Sequence, residues 1–321
     1  MRFQVLCFSV FLLFLFLISS NFASAQAVAA TGWSSEFLPP AATITKTVDE
    51  VNLAFTVTNK SGHFVSNLNR DDFRLLDNHQ APQRLTFFQQ RSDLPLHLAV
   101  LIDSSASVEY RFKFETRAAA VFLRKILRPG TDRAFVVAFN DEVKTVVEPA
   151  DKPARLMSAL KRLKPEGNTA LNDAVIYACQ KLGHIPENQT TRRALVLISD
   201  GVDTVHRSTL EQAMQAAARA QVMIFSLTTN QSEFEANSQG DAVLRDLANS
   251  TGGALLAAHN ESRLEASFHN LEKALRNQYV LGYNPAGFVP DGSYRSVELS
   301  TVKRGFRTNC RRGYYARATH P

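Results

Sequence analysis

Between Leu94 and Arg276 short apolar runs alternate with stretches of helical spacing. The runs Leu96–Ile102 (LHLAVLI), Arg133–Phe139 (RAFVVAF), Arg193–Ile198 (RALVLI), Val222–Leu227 (VMIFSL) and Ala254–Ala257 have strand length. Apolar residues recur at helical spacing over Phe112–Leu127, Pro153–Leu163, Ala170–Leu182, Leu210–Ala220, Asp241–Ser250 and Glu261–Arg276. Strands that are apolar throughout are buried on both faces, and helices between them supply the cover. The pattern predicts an α/β fold with a doubly wound, mostly parallel sheet.

The two ends of the chain have a different texture. Val51–Thr58 alternates apolar with small or polar residues, and Phe73–Leu76 and Leu85–Phe88 are two more short β segments, giving a module without a helix. Strand texture returns after Arg276 in Gln278–Tyr283, Ser296–Ser300 and Arg312–Tyr315. Three strands on either side bury too little surface alone. They are therefore expected to pair into one small β-sandwich, with the α/β domain inserted between its halves. The expected boundaries are 26–42 for a Pro-bearing linker, 43–93 and 277–321 for the sandwich halves, and 94–276 for the α/β domain.

Residues 1–25 stand apart. Arg2 precedes an apolar run from Val5 to Ile18, and Ala23-Ser24-Ala25 closes the segment. A basic end, an apolar centre and small residues at the exit make a secretory signal cleaved after Ala25. The run is shorter than the ~20 apolar residues of a spanning helix. The mature protein is then secreted or periplasmic.

Removing Arg2 lowers the formal charge from +6 to +5, a mild excess for this length. The basic groups Lys161-Arg162-x-Lys164 and Lys303-Arg304…Arg307…Arg311-Arg312 do not have the interleaved aromatics of a base-stacking platform, so a nucleic-acid surface is not expected. Of three cysteines Cys7 leaves with the signal. Cys179 falls in an apolar helical stretch and is expected to pack; whether it pairs with Cys310 stays open.

The candidate chemistry lies at strand ends. Asp103-Ser104-Ser105-Ala106-Ser107 follows the first strand of the α/β domain directly. Ligands of such sheets gather at the carboxyl ends of strands. Asp103, Ser105 and Ser107 offer one carboxylate and two hydroxyls, oxygen donors suited to a hard cation such as Mg²⁺. Thr169 lies in Gly167-Asn168-Thr169, and Asp200 follows the strand Arg193–Ile198. The loop of Asp103 is expected at the rim of the sheet, outside the core. Structural readings compete: serines capping the next helix, Thr169 as an N-cap, Asp200-Gly201 as a plain turn. Asp203 stays open as a supporting residue, and Asn172 and Asp173 read as a solvated first helical turn.

D-x-S-x-S, a Gly-x-Thr loop and an Asp at a later strand end, in this order, resemble the metal-ion-dependent adhesion site of von Willebrand factor A domains, over roughly 94–276. The wider chain is similar to bacterial secreted proteins related to that family. The resemblance implies a Mg²⁺ site, or one for Mn²⁺ or Ca²⁺, with direct contacts from Ser105, Ser107 and Thr169. Asp103 and Asp200 would act directly or through water. An ion with an open position would take an acidic residue of a partner protein, giving a secreted, cation-dependent adhesion module. The alternative is an envelope scaffold with a structural metal. An enzyme is not expected. A dehalogenase-like phosphotransferase wants a second acid where Ser105 stands, and no G-x-S-x-G elbow occurs.

Overall fold

The computed structural model describes residues 50–61, 63–91, 94–185, 191–228, 230, 239–257 and 261–316. The signal segment and linker lie outside the described residues.

Six strands form the central sheet: β4 (Leu96–Asp103), β5 (Arg133–Phe139), β6 (Val143–Ala150), β7 (Arg192–Ser199), β8 (Met223–Thr228) and β9 (Leu255–Ala257). Their order is β6-β5-β4-β7-β8-β9. All neighbours are parallel except β5 and β6, which run antiparallel. Strand β6 departs from the sequence reading, which has no strand there. Its segment VKTVVEPA is only partly buried and contains Pro149, which an edge position tolerates because no further strand needs its N–H.

The helices are α1 (Glu109–Ile126), α2 (Pro153–Leu160), α3 (Leu171–Gly183), α4 (Leu210–Ala220), α5 (Gln239–Ser250) and α6 (Glu261–Arg276). Alternation along the strands divides the core in two. Leu98, Val100 and Ile102 of β4 pack with Phe112, Phe122 and Leu123 of α1 and with Phe268 and Leu271 of α6. Ala99 and Leu101 face the other way, toward Leu171 and Val175 of α3 and Ala213 and Ala217 of α4. The expected doubly wound sheet is the fold observed.

The strands of the chain ends pair with one another. One sheet has the order β12-β1-β10-β3 and the other β13-β11-β2, where β1 is Val51–Asn59, β2 Phe73–Asp77, β3 Arg84–Arg91, β10 Gln278–Asn284, β11 Tyr294–Thr301, β12 Phe306–Cys310 and β13 Gly313–Tyr315. The pairing is long-range, with Leu53 opposite Leu281 and Leu75 opposite Leu299. Phe55, Phe73, Phe88 and Tyr279 cluster between the sheets, with Phe55 and Tyr279 centroids 5.5 Å apart. Two details correct the sequence reading. A 3-10 turn, Arg70–Asp72, interrupts the β module, and the polar segment FRTNC forms β12. Cys179 and Cys310 are both free thiols belonging to different cores, so no bridge joins them.

The chain crosses into and out of the α/β domain at a polar clasp. Buried Asp132 accepts from the backbone N–H of Leu96 at 2.9 Å, from the N–H of Arg128 at 2.8 Å, and from the guanidinium groups of Arg128 and Arg276. The Arg192 guanidinium donates to the carbonyl of Leu275 at 2.6 Å and to that of Arg91. Burial pushes the Asp132 carboxyl up, but the hydrogen bonds from Arg128, Arg276 and the backbone outweigh it and hold it at about 2. A carboxylate depressed in the folded state stabilises the fold above its unfolded value of ~3.9, and that contribution fades as pH falls through about 2. Asp132→Asn should therefore cost about 2 kcal/mol at pH 7. The gap to the parent should close near pH 2, which parallel urea titrations at both pH values would check.

Candidate metal site

The order of the sheet reverses between β4 and β7. From β4 the chain builds outward through β5 and β6, then returns to the other side as β7, β8 and β9. The carboxyl ends of β4 and β7 therefore face a crevice that no crossover covers, the usual position of a ligand site. Asp103 ends β4 and Ser199 ends β7.

A chain of hydrogen bonds joins four of the five expected residues. The Ser199 hydroxyl donates to Asp103 Oδ2 at 2.6 Å, and the Ser105 N–H donates to Asp103 Oδ1 at 3.0 Å. The Ser105 and Ser107 hydroxyls lie 3.0 Å apart, and Ser107 Oγ donates to Asp200 Oδ2 at 2.9 Å. Asp103 and Ser105 are buried at the floor, while Ser107 is exposed and Asp200 half-buried at the mouth. The expectation that Asp103 lies outside the core is thus corrected. Both strands flanking it are buried to their carboxyl ends, so the loop begins inside the domain rather than on it.

Thr169 is placed differently. Its loop meets the Asp103 loop through the Ala106 N–H, which donates to the Gly167 carbonyl at 3.0 Å, and through the Glu166 N–H, which donates to the Ser104 carbonyl at 2.9 Å. The Thr169 N–H donates to Thr204 Oγ1 at 2.8 Å, tying it to the segment after Asp200. Thr169 is buried, yet among the described residues no hydrogen bond links its hydroxyl to the other four.

The competing capping readings fail on geometry. Ser105 makes no side-chain cap bond to the 3-10 turn Ala106–Val108, α1 is capped by Val108, and α3 by Ala170 rather than Thr169. Asn172 is not solvated: it is buried, and its side chain donates to the Ser208 carbonyl at 3.1 Å. Asp203 accepts from the Asn172 N–H at 2.9 Å and so anchors α3.

Two glycines let the loops close. Gly201 has φ +87°, and a Cβ there would stand 2.2 Å from the Gly240 carbonyl oxygen; Gly167 has φ +76°, and a Cβ would meet Asp141 Oδ2 at 1.9 Å. At Gly201 the contact would force two backbones apart, at Gly167 it would displace the Asp141 side chain, and both positive φ angles disfavour any other residue.

The electrostatics are those of an anionic pocket. Burial pushes the Asp103 carboxyl up to about 6, against the hydrogen bonds from Ser199 and Ser105, and the charge of Asp200 raises it further. The sequence reading did not single out two buried residues that bear on the site. Ser199 shares the alternation of Leu195 and Leu197, which face the same side as Ala99 and Leu101, so period two along β7 aims it toward Asp103. Glu115 of α1 is the other, and its buried carboxylate lies within the field of Asp103 and Asp200. The donor set fits a hard divalent cation: it is all oxygen, and Asp103 and Asp200 place two carboxylates on it. Among the described residues no three His, Cys, Asp or Glu side chains converge closely enough to hold an ion by themselves, so hydroxyl groups would have to complete any such site.

Residues 98–202, running from β4 to the segment beyond Asp200, match the family model of the von Willebrand factor type A domain. The uncharacterized protein sll0103 of Synechocystis sp. is 30% identical over 110 residues, which cover 34% of this chain and 26% of that protein. The chain thus spans about a quarter of the length of the curated relative it matches. Among solved structures, a von Willebrand factor type A protein from Catenulispora acidiphila is 14% identical with a TM-score of 0.44, covering 84% of this chain and 73% of its own. Proximal thread matrix protein 1 from the mussel byssus, solved with a zinc-occupied MIDAS motif, is 15% identical with a TM-score of 0.48, covering 62% of this chain and 49% of its own.

Proposed function

We propose that this protein is an exported, non-enzymatic binding module that captures an acidic side chain of a partner protein through a divalent cation, Mg²⁺ or a close substitute. The observation that carries the reading is the chain Ser199–Asp103–Ser105–Ser107–Asp200, which links two strand ends from a buried floor to an open mouth. Ser105 and Ser107 would hold the ion directly, with Asp103, Asp200 and Thr169 acting directly or through water. Neutral ligands leave the cation electrophilic, and a carboxylate from outside would bind it with a short, directional contact. Two exposed apolar side chains close in sequence to the ligands could meet such a partner: Tyr110, three residues beyond Ser107, is 79% exposed, and Val202, whose N–H donates to Asp200 Oδ1, is 46% exposed. The Val5–Ile18 run and Ala23-Ser24-Ala25 support export.

Thermal unfolding with Mg²⁺ and with EDTA tests the cation. A hundredfold excess over Kd should stabilise the fold by about 2.7 kcal/mol, and no shift with Mg²⁺, Mn²⁺ or Ca²⁺ would end the proposal. Capture of native extracellular or periplasmic proteins separates the module from a scaffold with a structural ion. EDTA should release the partner while circular dichroism stays native; unfolding on chelation favours the scaffold. Tyr110→Ala should weaken capture severalfold and leave Mg²⁺ affinity unchanged, which titration of the same variant against both ligands would check.

A further inference from the structure

Glu115 lies on the second turn of α1, on the face that buries Phe112, Ala119 and Phe122. It is 2% exposed, and among the described residues neither carboxylate oxygen has a hydrogen-bond partner. Carboxylates so placed are rare, because an ionised one without a partner costs several kcal/mol and a neutral one still loses its hydrogen bonds to water. The ordinary explanations do not account for it. Arg111, one turn earlier on α1, eases its charge from a distance but makes no hydrogen bond to it. The other charges that Glu115 feels, those of Asp103 and Asp200, are of its own sign and make matters worse. In the cation-free protein Glu115 is thus a cost without a return. Burial first, and those two carboxylates after it, push it up to about 8.

The arrangement changes character if the crevice holds positive charge. A group repelled by Asp103 and Asp200 is attracted by whatever those two attract. We infer that Glu115, a buried acid on the helix that follows the Asp103 loop and on the face that packs with Ile102, is a positioning residue of the cation site that strengthens cation binding without touching the ion. The inference rests on the cation reading proposed above. Glu115 is not a direct ligand, since the three acids do not converge on one point. Its effect travels through the low-dielectric interior or through a water on the ion, as outer groups of metal sites act. Such groups typically govern ten- to hundredfold of affinity. The unpaired oxygens are then explained: the positive partner that they lack in the protein arrives with the ion.

The test is a Mn²⁺ titration of the full chain, followed by the electron paramagnetic resonance signal of free Mn²⁺. Glu115→Gln keeps the shape and cannot ionise when the ion arrives. It should bind Mn²⁺ at least about tenfold more weakly, while its cation-free form unfolds at the same temperature as the parent or higher. Glu115→Asp keeps the charge and should recover most of the affinity. A merely tolerated buried acid predicts otherwise: Gln would raise stability and leave the Mn²⁺ affinity alone. Binding by Glu115→Gln within twofold of the parent overturns the inference. Should that variant not fold, Glu115→Met, unbranched and apolar, is judged by the same two numbers. A parent that binds no Mn²⁺ removes the cation reading itself, and this inference with it, whereas a parent that binds as well as its Gln variant removes the inference alone.

Discussion

Replacing Asp103 with Asn should abolish divalent-cation binding and, at neutral pH, make the cation-free protein more stable rather than less. The two effects have one cause. Asp103 is fully buried, and its carboxyl stands at about 6 because burial, and after it the charge of Asp200, oppose ionisation. A carboxyl raised in the folded state holds its proton when the unfolded chain has already lost it. Stability therefore falls as pH rises from ~4 through about 6, and the penalty is fully present at pH 7. A rise from ~4 to about 6 corresponds to roughly 2–3 kcal/mol. Asn carries no charge at any of these pH values and can still accept from the Ser199 hydroxyl, so most of that penalty disappears. With the carboxylate gone, Asp200 is the one acid left among the five proposed ligands, and the Mg²⁺-induced stabilisation of about 2.7 kcal/mol at hundredfold excess should vanish. Urea unfolding at pH 5 and pH 7.5, with and without Mg²⁺, measures all of this. If the variant kept its response to Mg²⁺, Asp103 would be no ligand. A cation-free variant clearly less stable than the parent at pH 7.5 would mean that the carboxylate supports the fold.

How much of this was legible beforehand depended on what kind of physics placed each residue. Runs such as Leu96–Ile102 and helices such as Leu210–Ala220 and Glu261–Arg276 are set by local periodicity, and their observed spans agree with the pattern to within a residue. Strands β6 and β12 are set by the neighbour they pair with. Thr145 and Lys144 of β6 lie opposite Val137 and Ala138, and Arg307 of β12 opposite Thr58, so a sequence with little alternation of its own is recruited by backbone hydrogen bonding. The site divides in the same way. Asp103, Ser105 and Ser107 are on one loop, and Asp200 ends a legible strand, so their meeting follows from strand order. The depth of Asp103 did not follow, because burial at a strand end depends on loops from residues 166–170 and 200–205 that close over it. Glu115 could have been noticed. It occupies the helical face of Phe112, Ala119 and Phe122, and a charged residue on such a face is out of place unless something draws it there.

Asp77→Asn should destabilise the protein by about 3–5 kcal/mol, the largest loss of stability expected from any single exchange considered. Asp77 ends β2 with no exposure and is shared by three partners from three other strands. Tyr283 of β10 donates its hydroxyl to Oδ2 at 2.7 Å, Tyr314 of β13 donates to the same oxygen at 2.8 Å, and Arg295 of β11 donates through Nε to Oδ1 at 2.7 Å. Because β10 belongs to one sheet and β2, β11 and β13 to the other, this single carboxylate ties the two sheets of the sandwich together. Burial first, and then the bond to Asp77, push both phenols above their usual range, so they remain donors at any pH the protein meets. Asn at this position keeps the volume but removes the charge. Arg295, itself 7% exposed, would then be a buried cation without its anion, and that uncompensated charge rather than the lost hydrogen bond sets the size of the effect. If the cost is the stranded guanidinium, removing it as well should return part of the stability: Asp77→Asn with Arg295→Met should be less damaged than the sum of the two single variants. Denaturant unfolding of the four proteins closes the cycle. An Asp77→Asn loss below about 1 kcal/mol, the size of an ordinary neutral hydrogen bond, would show that the carboxylate is not what holds the sheets. Additive single losses would locate the cost elsewhere than in the pair. Since the cation site lies in the other domain core, Mg²⁺ should still stabilise every variant that folds.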